Sequence, residues 1–348
     1  MSISDRRSRG PLENRTVVVT GASAGVGRAT AHRLARAGAR LGLIARDRHA
    51  LADVQAEVDK LGGVAVCAAA DVADAGAVFR AAAKVRERLG PIDVWINNAM
   101  VTVFGPVAAI TAEEFRRVTE VTYLGTVHGT LAALQGMRPR NCGHIVQIGS
   151  ALAYRGIPLQ APYCAAKHAV RGFTASLDSE LVHCGSAIRV SMLELPAVNT
   201  PQFDWARSHL QRQPRPVAPV VQPELIADAI YGTILAPRRE TWIGWSTAET
   251  VIGSMLAPRF LDRYLARAAV DGQQTRLPVS PGRRDNLVAP VPELHRTRGS
   301  FGGESARRAM VVSGTAGRLV PVAVGALVFF ALGALATRKR PGHAEPSA

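Results

Sequence analysis

The stretch Thr16-Val17-Val18-Val19-Thr20-Gly21-Ala22-Ser23-Ala24-Gly25-Val26-Gly27 decides the fold. Its first five residues are an uncharged run of strand formers. Three glycines then punctuate the turn, and a helix-length stretch opens near Gly25. Glycine lets a backbone turn tightly and come close to a pyrophosphate, whose charge then faces the helix N-terminus. Strand, glycine turn and helix in this order predict a dinucleotide site, with Gly21, Ser23, Gly25, Val26 and Gly27 around the phosphates. The bland alternative is an ordinary glycine turn.

Outward from that unit, short apolar runs alternate with helix-length segments. The runs predict strands over Thr16–Thr20, Arg40–Ala45, Val64–Ala69, Val94–Asn97, His144–Ile148, Arg189–Glu194 and 241–245. The segments 25–37, 47–61, 74–89, 111–137, 160–184 and 222–236 read as helices, with Thr111 as an N-cap and Gly38, Gly62 and Gly90 as stops. Such alternation predicts an α/β fold, one doubly wound, Rossmann-like parallel sheet of seven strands covered on both faces. The organisation expected is an N-terminal tail over 1–13, a dinucleotide-binding domain over 14–246 and a helical extension over 247–270. A basic linker over 271–318, an apolar segment over 319–336 and a basic tail over 337–348 follow. Within the domain, proline-rich residues 196–222 read as a long loop over a site.

The chemistry gathers at the carboxyl ends of the predicted strands, where ligands of open α/β sheets bind. Ala45-Arg46 closes the second strand; an arginine fork suits a 2′-phosphate, where an acid would repel it, so NADP is expected over NAD. A merely solvated Arg46 is the competing reading. Asp71 and Val72 follow the third strand, with Asp71 able to accept from an adenine amino group. Asn98, closing the fourth, can tie adjacent strands together. Ser150 follows the fifth strand, and Tyr163 and Lys167 lie four apart on one helix face. A neighbouring ammonium is expected to lower the phenol's pKa. Tyr163 can then exchange a proton with a carbonyl or alcohol oxygen that Ser150 holds.

Thr20-Gly-x-x-x-Gly-x-Gly27, Asn97-Asn98-Ala99, Ser150 and Tyr163-x-x-x-Lys167 together resemble the short-chain dehydrogenase/reductase family, over roughly residues 14–246. The resemblance implies that the glycines cradle the cofactor, Tyr163 is the acid/base, Ser150 orients substrate and Lys167 also holds the nicotinamide ribose. Pro196-Ala197-Val198-Asn199-Thr200 resembles the segment that contacts the nicotinamide end, which adds Val198 and Thr200. Three positions depart from the family pattern. Met100 and Ala197 stand where glycines are usual, and Thr122 replaces the asparagine that binds a relay water. Thr122 is accordingly carried as a candidate catalytic residue.

Composition bounds the rest. With 47% apolar and 20% charged residues among 348, the chain has ample core. Its four scattered cysteines read as reduced packing residues, and no metal site is expected. Of the +15 net charge, about half lies between Arg276 and Arg340, with eleven Arg and Lys against three acids. That basic stretch abuts Leu319–Ala336, eighteen residues without a charge. As a helix the run is ~27 Å long, the thickness of a hydrocarbon core. It predicts a C-terminal membrane anchor, an anionic membrane surface as partner and the domain in the cytoplasm; a buried helix or a self-association segment is the alternative. No nucleic-acid partner is expected. Aromatics at 203, 205, 242, 245, 260 and 264 predict an apolar small-molecule substrate. By family resemblance the chain is also expected to be a homo-oligomer. The function expected is NADP-dependent interconversion of a lipophilic secondary alcohol and its ketone. The alternative is a catalytically weak dinucleotide sensor or scaffold at the membrane.

Overall fold

Six strands of the computed structural model, which describes residues 10–319, follow the predicted runs: β1 (Thr16–Thr20), β2 (Arg40–Ala45), β3 (Val64–Ala69), β4 (Val94–Asn97), β5 (His144–Ile148) and β6 (Arg189–Glu194). β7 covers Glu240–Ile243, starting one residue before the expected run. An unforeseen eighth strand, β8 (Val311–Ser313), pairs antiparallel with β7 and covers that edge of the sheet. The order is β3-β2-β1-β4-β5-β6-β7-β8, with β1 to β7 parallel. The expected count of seven is thus corrected to eight. Between β1 and β4 the strand order reverses, which opens a crevice at the carboxyl ends.

Every residue of β1 is buried, and its side chains alternate between two cores. Val17 and Val19 join Leu41 and Leu43 on one face, whereas Val18 packs with Ile44 and Trp95 on the other. Burial on both faces explains why these strands read as continuous apolar runs. α1 (Gly25–Arg36) and α2 (Arg48–Lys60) follow β1 and β2, and the Asp47 carboxylate caps α2 by accepting from the His49 and Ala50 amides. α3 (Ala75–Leu89) follows β3. The predicted helix over 111–137 is divided into α4 (Ala112–Val118), a π-helical turn over Thr119–Leu124 and α5 (Gly125–Met137). A capping box between Thr111 and Glu114 starts α4. α6 (Ala161–His183) carries Tyr163 and Lys167, and α7 (Pro223–Leu235) packs on α1. The helical extension is two helices, α8 (Trp245–Leu256) and α9 (Pro258–Gly272). Pro258 divides them, since it opens a new helix readily and continues an old one poorly.

The stretch expected to be a linker, 271–318, is instead packed on the domain. Gln274–Pro278 pairs antiparallel with Arg212–Pro214, and Ser305–Ala306 pairs parallel with Val220–Val221. Between these ribbons the chain forms a strap across the crevice, anchored by Leu287 and Val291, which are 1% and 4% exposed. Its arginines are spent within the protein: Arg283 on the Phe203 and Ala206 carbonyls, Arg284 on Glu293, Arg296 on Asp204 and Arg298 on Glu224. Arg318 pairs with Glu240. Much of the basic excess read as lipid-facing charge therefore pairs internally. The predicted anchor and basic tail lie outside the described residues beyond Leu319, as does the N-terminal tail before Gly10. Among the described residues no helix is long and apolar enough to cross a membrane.

Candidate active site

The glycine turn is shaped by backbone necessity. Gly21 and Gly25 have φ of 66° and 55°, in the left-handed region that side chains disfavour. A Cβ on Gly27 would overlap the Gly21 carbonyl. Ala24 gives α1 no side-chain cap, so the amides of its first turn are left to other acceptors. Gly25 N–H already has one, the Arg296 carbonyl at 3.0 Å. Ser23 and Val26 line the same turn. Asn98 ties β4 to β1, as the sequence suggests: its Nδ2 donates to the Thr20 carbonyl at 2.9 Å, and its amide donates to Thr20 Oγ1 at 3.0 Å.

At the next two strand ends, the candidate residues have partners within the chain. Arg46 is not merely solvated. Its Nη2 donates to the Asn286 carbonyl at 2.6 Å and its Nη1 to the Val288 carbonyl at 2.8 Å, both on the strap. Asp71 forms an ion pair with Arg117, whose Nε donates to the Leu287 carbonyl at 3.1 Å. Val72 packs over Gly125, where a side chain would collide with it. On the opposite side of the turn, Thr200 sits over Gly25, and Val198 lines the cleft.

These residues and the reacting group surround one cavity of about 670 Å³. It runs from the glycine turn and Arg46, past Ser150, Tyr163 and Lys167, to Phe260 and Tyr264 on α9. A turn that only glycine fits, uncapped amides at α1 and this continuous space suit an extended dinucleotide.

Ser150 Oγ accepts from the Leu152 amide at 3.1 Å and lies near enough to the Tyr163 phenol to favour its ionised form. Lys167, 3% exposed, lies with its Nζ 5.6 Å from the Tyr163 ring centre and donates to the Ile148 carbonyl at 2.7 Å. The expected lowering of the phenol's pKa by Lys167 is not found. Burial pushes the phenol up and Glu194 adds to it, while the Ser150 hydroxyl pulls down. The ammonium is engaged by a carbonyl, and burial depresses Lys167 itself to about 8, against the pull of Glu194. Thr122 also departs from expectation: it is fully buried and does not line the cavity. Its hydroxyl donates to the Val101 carbonyl at 2.9 Å and accepts from the Val101 amide at 3.1 Å. Its only proton is therefore committed to backbone.

One residue of the site escaped the sequence reading. Glu194, at the end of β6, is fully buried, and its Oε2 accepts from the Ser150 amide at 2.6 Å. Burial, then the nearby Glu240, raises it to about 8, opposed by the Ser150 amide, Lys167 and Arg171. Gly149 makes room for it, since a side chain there would overlap its carboxylate. The signal was an acid closing a buried strand, Arg-Val-Ser-Met-Leu-Glu, at its carboxyl end. At the far end, Phe260, Leu261 and Tyr264 line the cavity; Phe203 and Trp205 line it elsewhere, Trp205 against His295, and Trp242 is buried in a small cluster with Val251.

Residues 15–211 match the family model for short chain dehydrogenase. This chain belongs to the short-chain dehydrogenase family. It is 30% identical over 315 residues to an uncharacterized oxidoreductase, YxnA, of Bacillus subtilis, covering 90% of this chain and 88% of that one. An alignment that long reaches beyond residues 14–246 into the C-terminal extension. Among solved structures, an alcohol dehydrogenase from the archaeon Thermococcus sibiricus, complexed with 5-hydroxy-NADP, superposes with a TM-score of 0.57 at 28% identity. A metagenomic short-chain oxidoreductase in complex with NADP gives 0.54 at 30%. Each comparison covers 64% of this chain and 91% of the other. Short-chain dehydrogenases are oxidoreductases, and this chain is one.

Proposed function

We propose that the protein is an NADP-dependent oxidoreductase interconverting a lipophilic secondary alcohol and its ketone, with Tyr163 as general acid/base. The observation that carries this reading is the single cavity joining the glycine turn and Arg46 to the Ser150–Tyr163–Lys167 group and then to an aromatic end. Gly21, Ser23, Gly25, Val26 and Gly27 would hold the pyrophosphate, Arg46 the 2′-phosphate, and Lys167, Val198 and Thr200 the nicotinamide half. Asp71, Val72 and Asn98 would line the adenosine side. When bound, the nicotinamide supplies or receives the hydride. Ser150 holds the substrate oxygen, and Tyr163 gives that oxygen its proton. The phenol carries its proton at neutral pH and can give it to a ketone oxygen; burial makes that proton harder to release, and the Ser150 hydroxyl works against this. Glu194, raised by burial, stays largely neutral at pH 7, so the Lys167 charge is not cancelled beside the ring.

Two features support an apolar substrate. Phe260, Leu261, Tyr264 and Leu265 of α9 line the far end of the cavity. On α8 and α9, which border the cavity, Trp245, Met255, Leu256, Phe260 and Tyr264 are exposed, with Arg259 and Arg263 beside them in sequence. Exposed apolar and basic side chains on short helices suit an anionic membrane surface. With the apolar run 319–336 as a C-terminal anchor, the cytoplasmic domain would draw its substrate from the bilayer. Self-association through the helical segments 111–137 and 160–184 belongs to the same reading, since Leu124 in the π-helical turn, Leu131 on α5 and Val182 on α6 are exposed.

The test is NADPH oxidation by purified protein against a panel of hydrophobic ketones, with Tyr163→Phe alongside. Tyrosine-dependent turnover is expected. The committed hydroxyl of Thr122 favours a second reading, a dinucleotide sensor of little turnover. NADPH binding with no tyrosine-dependent oxidation would establish that reading instead. For the anchor, full-length protein should float with anionic vesicles and a chain ending at Arg318 should not; equal behaviour would remove the membrane claim.

A further inference from the structure

The strap touches each element that the dinucleotide reading uses. Its backbone accepts from Gly25 and Arg28 beside the turn, from Arg46 at the end of β2, and from Arg117, the partner of Asp71. Gly299 is pressed against the Thr200 carbonyl, where a Cβ would overlap it, so the strap also closes on the β6 side. The enclosed space still measures about 670 Å³, and Asn286, Pro290, Val291 and His295 of the strap form part of its wall. The strap therefore roofs the cleft rather than filling it.

The roof carries polar atoms with no partner. Asn286 is 5% exposed and its Oδ1 has no hydrogen bond. The His295 side chain is 8% exposed and neither ring nitrogen has one. Its Nε2 lies 3.3 Å from Asp47 Oδ2, off the line of a hydrogen bond, while Trp205 meets the ring edge-on at 5.3 Å between centroids. Buried polar atoms are almost always paired, and leaving one unmade is costly. Both residues border the cavity, and beyond the Asp47 contact of Nε2 their unpaired atoms, Asn286 Oδ1 and His295 Nδ1, point to a ligand that completes them. Arg46 spends at most three of its five N–H groups on the strap carbonyls, so its fork can hold the strap and a phosphate together.

We propose that residues 285–296 are a cofactor clasp: the C-terminal extension supplies the outer wall of the NADP site, with Asn286 and His295 bonding directly to the adenosine-phosphate half. The clasp rests on the NADP reading above and adds a second set of contacts, drawn from outside the dinucleotide-binding domain. NADP enters when residues 285–296 lift, and their closure slows its escape. Binding through ordered side chains and loops chiefly alters dissociation rather than association.

Two measurements on the full-length protein test this. First, trypsin can read the strap through Arg296 and Arg298, and NADPH should slow cleavage there at least several-fold in the wild type. Second, Asn286→Ala combined with His295→Ala should raise the NADPH dissociation constant about tenfold, with most of the change in the dissociation rate. Nicotinamide fluorescence reads both quantities without any substrate. Wild-type protein that binds NADPH while the strap stays equally cleavable would overturn the clasp and leave the oxidoreductase reading standing. So would a double variant that binds as the wild type does. Failure of the wild type to bind NADPH would sink both.

Discussion

Replacing Glu194 by glutamine isolates the most unusual electrostatic feature of the site. The side chain is fully buried, and its pKa stands near 8 against an ordinary 4.5. Between those values the folded protein keeps this proton while the unfolded chain has lost it. The unfolded state thus binds fewer protons, and stability must fall as pH rises through the window. The slope is about 1.4 kcal/mol per pH unit, absent below pH 4.5 and exhausted above pH 8. Glutamine has nearly the same shape and can offer its amide oxygen to the Ser150 N–H, but has no proton to lose. Between pH 5.5 and 7.5 the wild type should lose about 2.5 kcal/mol relative to Glu194→Gln. Lys167, which Glu194 also pulls upward, adds to the difference and does not reverse it. Its depressed pKa makes the unfolded state the better proton binder, so its contribution rises with pH, and only from about 8 up to 10.5. Urea unfolding of both proteins at the two pH values, followed by tryptophan fluorescence, gives the difference, since groups that do not interact with Glu194 cancel. A relative change below about 1 kcal/mol would mean that Glu194 is ionised in the folded protein at neutral pH. The proposed uncancelled charge on Lys167 would then be wrong.

Tyr163→Phe should lower kcat by about 10²- to 10⁴-fold in ketone reduction while NADPH affinity changes less than about threefold, because a proton donor is removed and the ring is kept. A fall in affinity that accounts for the lost rate would assign the phenol to cofactor binding instead. In Gly27→Ala the new methyl must displace the Gly21 carbonyl, so NADPH binding should be abolished and the melting temperature lowered; retained binding would refute the assignment of this turn to the pyrophosphate. Arg46→Ala should cut the preference for NADPH over NADH by at least about tenfold, the worth of a charge-assisted hydrogen bond. An unchanged ratio of the two dissociation constants would show that Arg46 serves only to hold the strap.

Where the chain buries whole faces, its sequence is a sufficient guide. Val17, Val18 and Val19 pack alternately into two cores, and an uncharged run is what such a strand requires. Tyr163 and Lys167 are legible for a similar reason, because spacing on a helix sets their face before any tertiary contact is known. Thr122 was illegible. Its hydroxyl can serve a water or a backbone with equal chemical ease, and only the approach of Val101 decides between them. Glu194 left a trace, an acid at the carboxyl end of a buried strand, but its meaning depends on Ser150, forty-four residues away in sequence. The strap is the extreme case. It buries Leu287 and Val291, too few side chains to make a period, and is otherwise held through carbonyls that every residue possesses. Hydrophobic pattern registers faces, not carbonyls. Arginine-, proline- and glycine-rich composition therefore reads as linker whether the chain hangs free or lies across a cleft, and what distinguishes the two here is Arg46, more than two hundred residues upstream.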